Sequence, residues 1–420
     1  MLTILTVLSG RANNSLVKIL VVSQYFWPES FRVNELVVDL ISRGHQVSVL
    51  TGIPNYPSGK IFPDYINNKH LYDTFHGARV FRSPMLPRGS SPVRLILNYI
   101  SFALCASVYG VFRLHVNTYD LVFVYQLSPI TLVLPGILIS RLRGLPLVLW
   151  VQDLWPDTLV SLNILKSSFS VSFARILVSF IYKQATLILV QSMSFASKIS
   201  EYVNDSSRIH YLPNWSDGFP VLSQTSHPPE LPIVSGVFTV LFAGNIGDAQ
   251  DFPAILNAAQ ILSTNSRIRW VIVGSGSRYN WVKSQVISRG LSHCFFLLGR
   301  FPYERMPSFF KSADALLISL SKKPAFSLTI PSKLQTYLVS GVPLLGMLDG
   351  EGASIITNAN AGLVCGAGDS LGLSKLVLQL SNMPLKLRLQ MGSNGISYAR
   401  QEFGKSALLD RLENLLCSLV

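Results

Sequence analysis

The chain alternates short apolar runs with stretches whose apolar residues return every three or four positions. "KILVVSQYF" (18–26) has the length and composition of a buried strand. Past a polar loop, Val33, Leu36, Val37, Leu40 and Ile41 fall on one helical face, Gly44 ends the helix, and "HQVSVLTG" is the next strand. This is a βαβ unit, which implies a parallel sheet with ligands at the C-terminal ends of its strands. Further strands are expected at 121–126, 146–153 and 187–192, with helices between them.

Residues 216–235, "SDGFPVLSQTSHPPELPIVS", lose this periodicity and are rich in Ser and Pro, as a linker is. A second series follows, with strands at 238–244, 269–274, 294–299, 315–320, 343–348 and 362–366. Helices are expected near 251–263, 278–289, 303–311, 332–340 and 369–382. The pattern predicts an α/β chain of two doubly wound, Rossmann-like domains facing across a deep cleft. Residues 18–215 form the first domain and 236–390 the second. Residues 391–420 are helices expected to pack back toward the first domain. Residues 1–17 lack a basic start before their apolar stretch, so they are read as an extension rather than a signal peptide.

Composition narrows the partners. Hydrophobic residues are 49% of the chain and charged ones 14%, which excludes a disordered chain. The net charge of +13 points to phosphorylated ligands or anionic lipid. Nucleic acid is not expected, because the cations are scattered and no binding module is visible. Four widely spaced cysteines suggest neither zinc nor disulfides, and fit a reducing cytoplasmic setting.

Three turns at strand ends of the second domain could hold a phosphate. "IPSKL" places Pro331, Ser332 and Lys333 at a helix start, where free N–H groups and a cation meet. "AGNIGD" offers Gly244 and Asn245, and "VGSGS" offers Gly274, Ser275 and Gly276. Glycines at such turns can equally serve only the chain's change of direction.

The segments "QYFWPESFRVNELVVDLISRGHQVSVLTGIPNYPSGK", "VLWVQDLWPDTL", "FAGNIGDAQD" and "TIPSKLQTYLVSGVPLL" together resemble bacterial family 4 glycosyltransferases. The likeness is to the branch that builds O-antigen, capsule and colanic-acid repeat units, and it runs from residue 18 to about 415. It implies a GT-B fold, with the acceptor in the first domain and a nucleotide-diphospho-sugar donor in the second, UDP- more than GDP-linked. It implies transfer with retention by a front-side mechanism, no metal and no cofactor. The acceptor implied is a glycan on a polyprenyl diphosphate, handled at the cytoplasmic face of the inner membrane, and the sugar a deoxy- or N-acetylamino-hexose. Alternatives are a nucleotide-sugar epimerase of the same fold, or a glycan- or membrane-binding protein that has lost donor binding.

The sequence departs from the family at the donor site. Many members carry two glutamates seven residues apart; counting back from Gly341, those positions are Leu328 and Thr336. The cation pair that follows the first strand of the second domain is missing from "GNIGDAQDF". Lys333, Arg300 and the pair Lys322–Lys323 are candidate replacements, with Thr329 and Ser332 as hydroxyl donors. Glu351 could take the ribose-binding role or complement a helix N-terminus.

On the acceptor side, Asp153 in "QDLWPDT" follows a strand and could act as base or orienting partner for the acceptor hydroxyl, or be a loop carboxylate. Glu29, Arg32 and Asn34 lie in the first strand-to-helix loop, Arg32 suiting a phosphate. Asn55 and Tyr56 form the next rim. Between Arg94 and Arg113 lie 18 uncharged residues, which could span a bilayer, lie on it, or be a core helix. The five arginines from His76 to Tyr119, with no acid among them, suit peripheral contact with an anionic membrane.

Overall fold

The structure, a computed structural model, describes residues 16–89, 91–114, 119–161, 164–216, 227–231 and 234–420. Most of the extension expected at 1–17 and much of the linker expected at 216–235 lie outside the described residues. Val17, placed in that extension, belongs to the fold: it is buried, and its carbonyl accepts from Gln46 N at 3.1 Å.

The first sheet contains β1 (Lys18–Val22), β2 (Gln46–Thr51), β3 (Thr74–Phe75), β4 (Ala78–Arg82), β5 (Leu121–Gln126), β6 (Leu147–Val151), β7 (Leu187–Val190) and β8 (Ile209–Tyr211). Its order is β3-β4-β2-β1-β5-β6-β7-β8, parallel throughout except for β3 against β4. The second sheet contains β9 (Phe238–Ala243), β10 (Ile268–Val273), β11 (Phe295–Gly299), β12 (Ala315–Ser319), β13 (Leu344–Met347) and β14 (Gly362–Cys365). Its order is β11-β10-β9-β12-β13-β14, all parallel. Central strands such as β5, β6 and β9 are buried at every residue, which is why they are apolar without alternation.

The helices that position the site are α1 (Arg32–Ser42), α2 (Pro92–Arg113), α3 (Leu134–Arg143), α4 (Ser168–Gln184), α5 (Met193–Ser200), α6 (Ser332–Leu338), α7 (Glu351–Asn358), α8 (Leu385–Glu402) and α9 (Lys405–Cys417). One face of the first sheet packs on α2, α3 and α4 through Phe102, Ile137 and Val178. The other face packs on α1 and on the C-terminal α9, whose Leu408, Leu412 and Leu416 enter the same core as Val33 and Leu36. Each buried leucine contributes about 1.5–3 kcal/mol. Glu413 locks α9 there, accepting from Arg43 Nη1 at 2.6 Å and pairing with His45 Nε2 at 3.1 Å.

Candidate active site

The two sheets point their strand ends at each other. Between them lies a cleft of about 800 Å³. From the first domain it is lined by Arg32 and Asn34 and by the amides Gln152, Gln191 and Asn214, which follow β6, β7 and β8. From the second domain come Tyr303, Glu304, Thr329, Ile330 and Ser332.

The turns of the second domain interlock. Gly244 N donates to Val273 O at 2.8 Å, and Ile246 N to Ser275 O at 2.9 Å. Gly244 (φ 141°) and Gly274 (φ 145°) both occupy backbone that favours glycine. A Cβ on Gly274 would sit 1.8 Å from Gly244 O, and one on Gly276 would sit 2.4 Å from Ile246 O. Gly274 and Gly276 therefore serve close packing of two loops, while the Asn245 side chain reaches Gln250 at 3.5 Å.

Lys333 and Tyr337 stand one turn apart on α6 and both reach the end of β9. The Tyr337 hydroxyl accepts from Ala243 N at 2.7 Å and donates to Ala243 O at 3.0 Å. Lys333 Nζ tucks under the Gly244 turn, 3.1 Å from where a Cβ on that glycine would stand. Part of the stem meets solvent, but Nζ is buried and has no hydrogen-bond partner among the described residues. It lies over the face of Phe242, 3.6 Å from the ring centroid. Burial lowers the amine from 10.5 to about 7.

Across the cleft, the amide floor is also incompletely paired. Asn214 Nδ2 donates to Gln152 Oε1 at 2.9 Å and Gln191 Nε2 to Gln152 O at 3.2 Å. This leaves Gln152 Nε2 and Asn214 Oδ1 buried without partners. A free donor and a free acceptor side by side suit a hydroxylated ligand. Sequence reasoning missed these amides; the "VQD", "VQS" and "LPN" steps at three successive strand ends were the available signal.

Several expected site residues are occupied elsewhere. Glu351 takes the alternative of a helix N-terminus: Oε1 and Oε2 accept from Met193 N and Ser194 N, each at 2.8 Å, capping α5 of the opposite domain. Glu29 is buried and accepts from Asn55 N at 2.7 Å, Tyr56 N at 2.6 Å and Phe26 N at 3.2 Å, so it builds the rim and does not face an acceptor. Desolvation raises its pKa. Asn34 donates to Glu29 O at 2.7 Å, and Asn55 bridges Ile53 O and Arg88 N; both brace loops. Lys323 donates to Ser161 O at 2.6 Å across the domains. Arg82, expected on a membrane-facing rim, instead ties Trp27 O at 2.6 Å and Gly52 O at 3.2 Å.

The remaining candidates keep their places. Arg32 and Ser332 line the cleft, as does Thr329, whose hydroxyl donates to Ala325 O at 3.0 Å. Pro331 is the N-cap residue of α6, and that helix is only seven residues long, so Lys333 supplies most of its attraction for anions. Arg300 is exposed just past β11, on the neighbouring strand to the Gly274 turn. Tyr56 is stacked by Arg88 at 5.3 Å. Asp153 lies past β6 and accepts from Ser128 Oγ, which in turn accepts from Trp155 Nε1 at 2.8 Å. Leu328 and Thr336 occupy the two positions of the family's glutamates; the Leu328 carbonyl accepts from Ser192 Oγ at 2.7 Å, joining the domains.

Two family models divide the chain between them: a glycosyl transferase 4-like domain over residues 30–215 and glycosyl transferases group 1 over residues 223–398. The chain belongs to the bacterial family 4 glycosyltransferases. It is 25% identical over 290 residues to the probable glycosyltransferase WbjE of Pseudomonas aeruginosa, covering 68% of this chain and 71% of that protein. It is 26% identical over 348 residues to the putative colanic acid biosynthesis glycosyl transferase WcaI of Escherichia coli K12, covering 77% and 81%. Among solved structures, Anabaena HepE in complex with UDP and glucose superposes with a TM-score of 0.69 at 15% identity, over 96% of this chain and all of that one. The glycosyltransferase thus has the GT-B fold, as the strand pattern and the family resemblance predicted.

Proposed function

We propose that this glycosyltransferase moves a hexose, with retention, from a nucleotide-diphospho-sugar to a lipid-linked glycan during cell-surface polysaccharide synthesis. The observation that carries the reading is Lys333 Nζ, buried under the Gly244 turn with no oxygen to bind. A diphosphate at that turn supplies the missing acceptor and restores the ammonium. The one relative named for colanic acid biosynthesis supports a polysaccharide product, and the UDP held by HepE supports a UDP-linked donor in preference to a GDP-linked one.

In this reading the second domain holds the nucleotide. Lys333 and the backbone N–H groups of the interlocked turns stabilise the charge on the departing diphosphate, a role that needs no metal ion or cofactor. The acceptor sugar lies over Gln152, Gln191 and Asn214, and the unpaired Gln152 Nε2 and Asn214 Oδ1 bind its hydroxyls. The bond from the anomeric carbon to phosphate oxygen breaks as the acceptor oxygen bonds to the same face. The hydroxyl proton leaves to the departing phosphate, with Asp153 orienting the acceptor through the strand-end loop it shares with Ser128 and Trp155. Arg32, 5.2 Å over the Trp215 ring and paired with Glu35 at 3.4 Å, is the cleft cation assigned to the acceptor's diphosphate.

The test is transfer from radiolabelled UDP- and GDP-sugars to polyprenyl-diphosphate-linked acceptors, scored for anomeric configuration. Label in the lipid fraction with retained configuration is expected. Donor binding without transfer to any lipid-linked acceptor would remove the acceptor assignment, and inverted product would remove the front-side mechanism.

A further inference from the structure

The helices α2, α3 and α4 cover one face of the first sheet, and none of their 49 residues (22, 10 and 17) is an aspartate or glutamate. All three are amphipathic in an unusual sense. Each buries one side in the core and presents large apolar residues to solvent on the other. On α2, Ile96, Ile100, Leu104, Val108 and Phe112 form a row at four-residue spacing, with Phe112 81% exposed. On α4 the outward row is Phe169, Phe173, Ile176 and Phe180, with Phe169 82% exposed. Leu138 and Leu142 of α3, which lies between the two, are also exposed.

Cations are interspersed with these rows. Arg94 and Arg113 stand at the two ends of α2, Arg141 and Arg143 close α3, and Arg175 and Lys183 lie on α4. Outward aromatic and aliphatic rows with an unopposed positive charge are the chemistry of a surface that sinks into headgroups of negative sign. We propose that this three-helix face docks the enzyme on an anionic lipid bilayer, lying in the interface without spanning it.

Among the described residues, helix α2 alone is long and apolar enough to cross a membrane, with a mean hydropathy of 1.8. Its inner side forbids this. Asn98 is buried, accepting from Gln24 Nε2 at 2.8 Å and donating to Leu86 O at 2.6 Å. Gly110 is pressed so closely on α3 that a Cβ would sit 2.8 Å from Ile139 Cδ1. Withdrawing α2 into lipid would break both contacts and open the core at Phe102. A second copy of the chain is a poor occupant, because a self-complementary contact would set these cations against each other. The face also leads into a groove lined by Lys60, Gly89, Ser91 and Arg94, beside the Asn55–Tyr56 rim, so a docked enzyme presents its proposed acceptor side to the bilayer.

The docking claim does not depend on donor binding, so it is tested by sedimentation of the full chain with vesicles in the absence of nucleotide. The chain should pellet with phosphatidylglycerol-rich vesicles, weakly with phosphatidylcholine, and less as salt is raised. Phe173→Ser with Ile176→Ser, and separately Arg143→Glu with Arg175→Glu, should each weaken binding about tenfold or more. Both variants should keep the melting temperature and UDP affinity of the unaltered chain, since the substituted side chains are exposed. A chain that stays in the supernatant, or variants that pellet as well as the parent, would overturn the proposal. So would a dimer that Phe173→Ser converts to a monomer, which would assign the face to a second copy.

Discussion

Lys333 Nζ lies 3.6 Å from the centre of the Phe242 ring, buried and without a hydrogen-bond partner. A cation so placed is held by an aromatic face alone, and burial lowers its pKa from 10.5 to about 7. Between those two values the unfolded chain binds a proton that the folded chain lacks, so this residue makes the fold more stable as pH rises through that window. Lys333→Met should therefore stabilise the unliganded protein at pH 7 by about 2–4 kcal/mol. The gain should shrink with pH and vanish above 10.5, read by chemical denaturation at several pH values. A variant less stable than the parent at pH 7 would show that Nζ has an anionic partner.

The same amine links nucleotide binding to protons. A diphosphate raises the Lys333 pKa, so binding above pH 7 should take up a proton. Calorimetry in buffers of different ionisation enthalpy should show apparent binding enthalpies that differ at pH 8 and converge at pH 6. Equal enthalpies across buffers at pH 8 would separate Lys333 from the nucleotide.

Glu351 joins the domains through the N-terminus of α5. Glu351→Ala should cost about 1 kcal/mol of stability, the worth of a helix cap, and change UDP affinity less than twofold. A loss of UDP binding much larger than the loss of stability would return Glu351 to the ribose.

Glu413 is buried and receives both Arg43 and His45. Glu413→Ala removes the partner of His45 Nε2 and one of the two carboxylates on Arg43, which keeps Asp410 Oδ1 at 2.7 Å, and should cost about 2 kcal/mol. Protease digestion should then release the segment from Lys405 onward sooner than in the parent; unchanged digestion would mean that the leucines of α9 suffice to hold it.

Asp153→Asn keeps the size of the side chain and removes its charge. Turnover should fall about a hundredfold with the donor KM within a factor of a few. A parallel rise in donor KM would place Asp153 at the donor instead.

The fold was legible because the inner parallel strands β1, β5, β6 and β9 are buried on both faces and read as near-continuous apolar runs, broken only by Lys18 in β1, Gln126 in β5 and Thr239 in β9. The strands β3 and β8 escaped notice because they are two and three residues long at the sheet edges, and β4, next to the edge, because Arg79 and Arg82 interrupt its apolar pattern. In the site, Lys333 and the Gly244 and Gly274 turns could be found, since their chemistry is local to a strand end. What Glu29, Asn34 and Asn55 do could not be read, and for Glu351 the sequence offered a helix N-terminus without saying which helix. Each satisfies backbone groups brought near by folding, from 158 residues away for Glu351, and a carboxylate that braces a loop spells the same as one that binds a sugar.

Titration calorimetry of UDP against the parent and Lys333→Ala decides whether the cleft binds a nucleotide diphosphate through Lys333. Saturable binding by the parent at pH 7, weakened about a hundredfold in the variant, is expected. Equal affinity of the two proteins, or no binding by the parent at millimolar UDP or GDP, would contradict it.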